Sequence, residues 1–147
     1  TARQLKAPLG DFWRGFDWPA LGRISGIYGS QRILNGKPRQ PHYGIDIAAP
    51  TGTPVYAPAS GLVTLVEDLY FSGHTVVIAH GLGVNSSFLH LDRADVKTGM
   101  MVERGALIGT IGATGRATGP HLDWRIDWQG RRIDPGLLVG AMPNPAS

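Results

Sequence analysis

The sequence predicts an all-β domain built mainly from antiparallel strands, and three observations indicate this fold class. Short apolar runs rich in Val, Ile and Leu recur at roughly the 8 to 12 residue spacing that is typical of β-sandwiches and barrels. The turns between them are rich in glycine and proline, of which the chain has 21 and 11. No segment shows a long apolar period of 3.6 residues, as an amphipathic helix would. We therefore expect an antiparallel sheet or sandwich-like domain.

The individual strands are predicted in chain order from these apolar runs. They are "RISGIYGS", "IDIAAP", "TPVYAPASGLVTLVEDL", "GHTVVIAHG", "NSSFLHLDR", "GALIGTIGAT" and "HLDWRIDWQGRRIDP". The segment "RILNGKPRQPHYG" is predicted to be an exposed loop, because it contains the turn signal Asn35-Gly36 and two prolines. "PGLLVGAM", near the end, predicts a turn or two of helix at most.

The chain of 147 residues has the length of one ordinary domain. Residues 1–22 lack a clean period and contain several aromatic residues, so they are interpreted as an arm that packs on the body. Residues 23–140 are predicted to form the β domain, and residues 141–147 a C-terminal tail. Since the sequence begins at Thr1 without a methionine, we expect it to be a processed or trimmed piece of a longer protein.

Composition narrows the function classes. With 42% hydrophobic and 17% charged residues the chain is neither a coiled coil nor a charged disordered segment. No apolar run approaches the roughly 20 residues of a membrane span. The net charge of +3 favours an acidic partner such as nucleic acid, anionic lipid or a cell-wall polymer, or indicates merely a soluble basic surface. Nucleic acid is disfavoured because the aromatic residues do not alternate with the basic ones. The basic residues that could form such a surface are Arg32, Lys37, Arg39, Arg116, Arg125, Arg131 and Arg132.

Two pairs of histidine and aspartate suggest a metal site. In "PHYGIDIAAP", His42 precedes Asp46 by four residues across a glycine turn. In "TGPHLDWRI", His121 and Asp123 leave the same face of a predicted strand, while Leu122, Trp124 and Ile126 take the opposite face and enter the core. If the two strands are neighbours, nitrogen and oxygen ligands suited to Zn²⁺ meet there. Spacing alone leaves open that these are satisfied polar groups at strand ends.

The remaining histidines are given structural interpretations. His80, in "IAHG", is expected to cap a strand entering a glycine turn, and His74 is expected to be exposed. His90 could be a buried histidine bonded to backbone. "GATGRATG" lacks the Gly-Lys-Ser/Thr ending of a phosphate loop.

Several blocks in order resemble one family. "HYGIDIAAPTGTPVYAPASGLVTLV", "VVIAHGLG", "FLHLD", "GALIGTIGATGRATGPHLDWRI" and "IDP" are similar to the lysostaphin and LytM type of zinc endopeptidase domain, over about residues 18–135. The resemblance implies a small antiparallel β domain with a groove. It also implies a Zn²⁺ cofactor, hydrolysis of peptide bonds in bacterial peptidoglycan, and a periplasmic or extracellular location in the cell envelope.

Carried over by position, the resemblance implies roles for five residues. His42 and Asp46 match the first two zinc ligands, and Asp123 stands where the family has a histidine as third ligand. His90 and His121 are implied to line the site, one as general base and the other stabilising the oxyanion.

The aspartate at the third ligand position leads to two alternatives. If Asp123 binds zinc, the ion and its ligands become formally neutral, and the bound water is less acidified. Aspartate is shorter than histidine, so the alternative is that its carboxylate falls short and the metal is lost or weakly held. The domain would then be a binding module that activates a cell-wall amidase or holds an envelope complex together. A third possibility is that residues 1–22 or an upstream segment cover the groove.

Overall fold

The structure, a computed structural model, describes residues 15–26, 33–34, 37–38, 44–115, 117, 119–139 and 142. These residues form twelve strands and a short 3-10 helix at Pro135–Leu137. The strands are β1 (Arg23–Gly26), β2 (Ile33–Leu34), β3 (Lys37–Pro38), β4 (Ile45–Ala48), β5 (Pro54–Tyr56), β6 (Gly61–Leu69), β7 (Gly73–Gly81), β8 (Val84–Ala94), β9 (Met101–Val102), β10 (Leu107–Ile111), β11 (His121–Trp128) and β12 (Arg131–Ile133).

Ten of the strands in the described ranges form one antiparallel sheet. Its main path runs β1-β4-β11-β8-β7-β6-β9. Strand β8 also pairs with β10, which pairs with β5, so the sheet branches at β8. The chain reaches β11 late, yet β11 lies between β4 and β8. This insertion brings the aspartate of β4 beside that of β11.

The core lies under this sheet and follows the alternation of the strands. In β11, Leu122, Trp124 and Ile126 are fully buried, as the sequence predicts. They belong to the same hydrophobic cluster as Val55 of β5 and Ile108 of β10. Because residues of the main path and of the branch share one cluster, the sheet curves around a single core.

Two tight hairpins join the strands at the end away from the site. Leu82 and Gly83 connect β7 to β8 with φ angles of 53° and 81°. Gln129 and Gly130 connect β11 to β12 with φ angles of 50° and 80°. Positive φ at both central residues is the geometry of the type I′ turn, whose twist matches that of antiparallel strands.

Residues 15–22, the described part of the N-terminal segment, pack on the sheet domain. Phe16 is buried, forms a parallel bridge with Val139, and lies with its ring against His80 and Trp124. The Trp18 ring meets Trp124 edge on. The proposed boundaries at residues 22 and 140 stay predictions.

The all-β prediction is confirmed, with three local corrections. The stretch predicted as one strand from Thr53 divides into β5 and β6, because Pro58 interrupts it. The segment predicted to be an exposed loop contains the paired strands β2 and β3 on either side of the Asn-Gly turn signal. His80 lies within β7 and is fully buried, so it does not cap the strand. Within the described ranges, no helix has the length and apolarity needed to span a bilayer.

Candidate active site

The floor of the site is a pair of opposed carboxylates on neighbouring strands. Asp46 of β4 and Asp123 of β11 are direct partners in the antiparallel register. Opposed residues point to the same face with their Cβ atoms about 5 Å apart. Both side chains are buried. Two like charges held this close in a buried place are stabilised by a nearby cation.

A guanidinium supplies such a cation. Arg125 lies two residues beyond Asp123 and therefore on the same face of β11. Its Nε donates to Asp123 Oδ1 at 3.2 Å and its Nη2 donates to Asp123 Oδ2 at 2.9 Å. Burial lowers the pKa of Arg125, but hydrogen bonding to Asp123 and the charges of Asp123 and Asp46 raise that pKa above its ordinary value on balance. The guanidinium is therefore charged.

Two glycines make room for the carboxylates. A Cβ on Gly44 would lie 2.6 Å from Asp123 Oδ1 and 2.8 Å from Arg125 Cγ. A Cβ on Gly26 would lie 2.7 Å from Asp46 Oδ2. Each distance is too short for a real Cβ, so the polar cluster depends on bare backbone at both places.

His121 opens β11 at the edge of the carboxylate pair. Its Nδ1 lies 2.9 Å from the carbonyl oxygen of Gly119. A carbonyl can only accept, so Nδ1 carries the proton and the neutral ring has its lone pair on Nε2. That Nε2 is 3.9 Å from Asp46 Oδ1. His121 therefore presents a basic nitrogen to the site.

His90 reaches the same place from β8 through an unusual backbone conformation. Its φ of 63° is left-handed, which is uncommon for a residue other than glycine and typical of functional sites. The backbone N–H donates to the Ser72 carbonyl at 2.7 Å, and the carbonyl accepts from Gly112 at 3.1 Å. The ring Nδ1 donates to the Thr114 carbonyl at 2.7 Å. By the same argument as for His121, the lone pair is on Nε2.

The two imidazoles form a pair beside an open pocket. Their ring centroids are 4.9 Å apart, with 42° between the ring planes. The pocket has a volume of about 310 Å³. Its lining residues come from β1, from β4, and from the first residue of β11 with the two residues before it: Arg23, Ser25, Asp46, Ala48, Gly119, Pro120 and His121. A peptide entering this pocket would meet His121 and Asp46 together.

The residues that the sequence singled out therefore meet, with one addition. Asp46, Asp123, His90 and His121 converge, whereas His42 lies outside the described residues. Arg125 was predicted only as one of several basic residues of a possible wall-binding or solvated face, and the structure instead pairs it with Asp123. Its position two residues after Asp123 in a predicted strand was the signal that could have identified this pair.

The donor types at the site fit a divalent metal ion such as zinc. Carboxylate oxygens and imidazole nitrogens are its usual ligands besides thiolates. Among the described residues, however, no group of three or more His, Cys, Asp or Glu side chains is placed to hold a metal. Both oxygens of Asp123 accept hydrogen bonds from Arg125.

Comparison with known proteins assigns a family to most of the chain. The model of peptidase family M23 matches residues 40–135. The peptidoglycan DD-endopeptidase ShyA of Vibrio cholerae is 41% identical over 113 residues, which is 76% of this chain and 26% of that protein. The chain spans about a quarter of the length of such curated relatives.

Solved structures agree with this family. A zinc containing peptidase from Vibrio cholerae superposes with a TM-score of 0.78 at 35% identity, over 88% of this chain and 41% of that one. The catalytic domain of lysostaphin from Staphylococcus simulans superposes with a TM-score of 0.70 at 28% identity, over 79% of this chain and 90% of that one. The resemblance to lysostaphin-type domains is confirmed.

Proposed function

The chain belongs to peptidase family M23, and from this premise we propose that it is the metallopeptidase domain of a peptidoglycan endopeptidase of the cell envelope. The observation that carries the proposal is the convergence of His90, His121, Asp46 and Asp123 beside a pocket that Asp46 and His121 line. The motif resemblance implies that these are positions of the family's site, and similar proteins are named peptidoglycan DD-endopeptidases.

We assign the metal to His42, Asp46 and Asp123, and we propose zinc because a similar structure is described as a zinc containing peptidase. When bound, a zinc ion polarises a carbonyl and lowers the pKa of a bound water. Gly26 of β1 leaves space for the carboxylate of Asp46, because it has no Cβ. Two anionic ligands would leave the ion less positive than one carboxylate and two imidazoles would.

The two histidines are proposed to handle the proton and the oxyanion. Each has its Nδ1 proton fixed by a backbone carbonyl, so each offers a lone pair at Nε2. One accepts a proton at Nε2 as general base, and the other, once protonated there, donates to the oxygen that becomes negative. Their 4.9 Å ring separation lets both act on one peptide group.

The substrate is proposed to be a peptide of the bacterial cell wall. The pocket beside His121 is bordered by the exposed strand β1, which carries Arg23 and Ser25. An arginine and a hydroxyl next to the reacting groups suit a peptide that bears carboxylates. Peptidoglycan stem peptides have this chemistry.

The test is release of peptides from purified peptidoglycan by the zinc-loaded chain, followed by mass spectrometry. We expect soluble peptide products, and a loss of at least about 100-fold in rate for His121→Ala. His74→Ala is the matched control, because it removes a histidine of β7 that does not line the site. Equal release by the chain and by His121→Ala would contradict the proposal.

A second candidate function is a binding module for an envelope protein or a wall amidase. The ion pair between Asp123 and Arg125 favours it, because it occupies a carboxylate that the metal needs. Metal analysis discriminates the two functions. About one zinc per chain supports the peptidase, and none after zinc loading supports the binding module.

A further inference from the structure

We propose that Arg125 is the resident cation of this site, and that its guanidinium competes with a metal ion for the carboxylate of Asp123. The inference rests on the proposed function, since it takes the site to be one that holds a metal. It assigns to Arg125 the role of setting metal affinity and of stabilising the metal-free domain.

The ion pair between Arg125 and Asp123 has the geometry of a two-bond fork. The guanidinium approaches Asp123 side on, with Nε bonded to one oxygen and Nη2 to the other. Such a fork uses a lone pair on each oxygen and covers the edge of the carboxylate between them. A metal ion that binds Asp123 through this edge must displace the guanidinium.

The two carboxylates of the site lie in a buried place. The Asp123 side chain is only 5% exposed and Asp46 stands directly opposite it. The two carboxylates bring two negative charges to this place, and the guanidinium of Arg125 brings one positive charge. A divalent ion compensates two carboxylates fully, so metal and guanidinium perform the same electrostatic task. If the divalent ion and the Arg125 guanidinium both stayed beside the two carboxylates, positive charge would exceed negative charge there.

Arg125 is partly exposed to solvent. Its side chain is 29% exposed, whereas that of Asp123 is nearly enclosed. Its stem crosses the bare backbone of Gly44, where Cγ lies 2.8 Å from the place of a Cβ. The long flexible side chain can therefore turn toward solvent while Asp123 remains in place.

The experiment compares Arg125→Met with the unchanged chain and with Arg131→Met, a matched control at an exposed arginine of β12. Zinc affinity of metal-stripped protein is measured by competition with a chromophoric chelator, and thermal unfolding is followed with and without zinc. We expect Arg125→Met to bind zinc roughly tenfold more tightly and to unfold at lower temperature without metal. Unchanged or weaker zinc binding by Arg125→Met would overturn the inference.

Two further variants keep the test decisive. Arg125→Lys retains the charge without the fork and is expected to bind zinc with intermediate affinity, even if Arg125→Met folds poorly. In an Asp123→Asn background, Arg125→Met is expected to change zinc affinity less than in the unchanged chain. If Arg125→Met changed zinc affinity equally in both backgrounds, Arg125 would not act through the carboxylate of Asp123, and the inference would be overturned.

Failure of the two proposals can be told apart. If the chain releases peptides and binds zinc but Arg125→Met leaves the affinity unchanged, only the role of Arg125 fails. If neither form binds zinc and no peptides are released, the proposed function and this inference fail together.

Discussion

Two buried polar clusters, each built around histidine, differ in how completely their hydrogen bonds are satisfied. The His80 cluster uses both ring nitrogens, Nδ1 to the Ser60 carbonyl at 2.9 Å and Nε2 to the Ser86 hydroxyl at 2.7 Å. Within the described part of the chain, His90 and His121 each hydrogen bond through Nδ1 and make no hydrogen bond through Nε2. A histidine with both nitrogens bonded stabilises the fold, and one with a nitrogen in reserve can do chemistry.

Charge separates the clusters further. The His80 cluster is buried, and the Ser60 carbonyl and the Ser86 hydroxyl that bond its ring are uncharged groups. The site cluster contains two carboxylates, a guanidinium, and a histidine with left-handed backbone. Strain and unlike charges persist there because the surrounding sheet holds them. Substitution of a histidine in each cluster tests this difference.

The largest effect is expected from His121→Gln. This change retains polar bulk but removes the basic Nε2, so kcat/KM for peptide release should fall by roughly 10² to 10⁴. The free energy of unfolding should change little, because the ring is only partly buried. Denaturant unfolding and peptide release are measured on the same preparation. If His121→Gln lost stability but kept activity, His121 would stabilise the fold and would not act in the reaction.

His80→Ala should show the opposite pattern. It leaves a cavity and removes the ring that bonds the Ser60 carbonyl and the Ser86 hydroxyl, at a cost of about 2 to 4 kcal/mol. Activity per folded molecule should be retained. Urea unfolding measures the first quantity and rates corrected for folded fraction the second. A fully stable His80→Ala protein would show that this cluster does not hold the fold.

Gly44→Ala should damage the site through the backbone. The added Cβ would lie 2.6 Å from Asp123 Oδ1 and 2.7 Å from the Trp124 carbonyl, so the strands must shift at a cost of about 1 to 3 kcal/mol. Gly119→Ala is the stability control, because its Cβ meets nothing within 4 Å. Thermal unfolding of the two variants is compared. Equal thermal stability of Gly44→Ala and Gly119→Ala would show that β4 and β11 accommodate the added Cβ without loss of stability.

The smallest effect concerns the backbone at His90. Because φ is 63°, His90→Gly should be more stable than His90→Ala by about 1 kcal/mol, although both lose the ring. Both variants lose the hydrogen bond to the Thr114 carbonyl, so this loss does not contribute to the difference in their stability. Denaturant unfolding of the pair provides the measurement. A more stable alanine variant would indicate that this turn relaxes to an ordinary strand.

The sequence predicted most of the fold because each strand carries its own alternation. "GHTVVIAHG" corresponds to β7 residue for residue, and "HLDWRI" places Leu122, Trp124 and Ile126 in the core. The division after Pro58 and the short strands β2 and β3 were missed, since two or three residues cannot show a period. The roles predicted for His90, His121, Asp46 and Asp123 stay predictions, although their convergence is observed.

The sequence by itself determined the all-β class, the family resemblance and the aspartate at position 123, because composition, alternation and motif order are properties of the chain read locally. Only the tertiary structure decided that Asp46 faces Asp123 and that Arg125 binds Asp123, because both depend on β11 being inserted between β4 and β8. It also decided the left-handed turn of His90, which neighbouring backbone partners impose from Ser72 and Gly112. Strand order and partner choice arise from long-range packing, which no local pattern encodes.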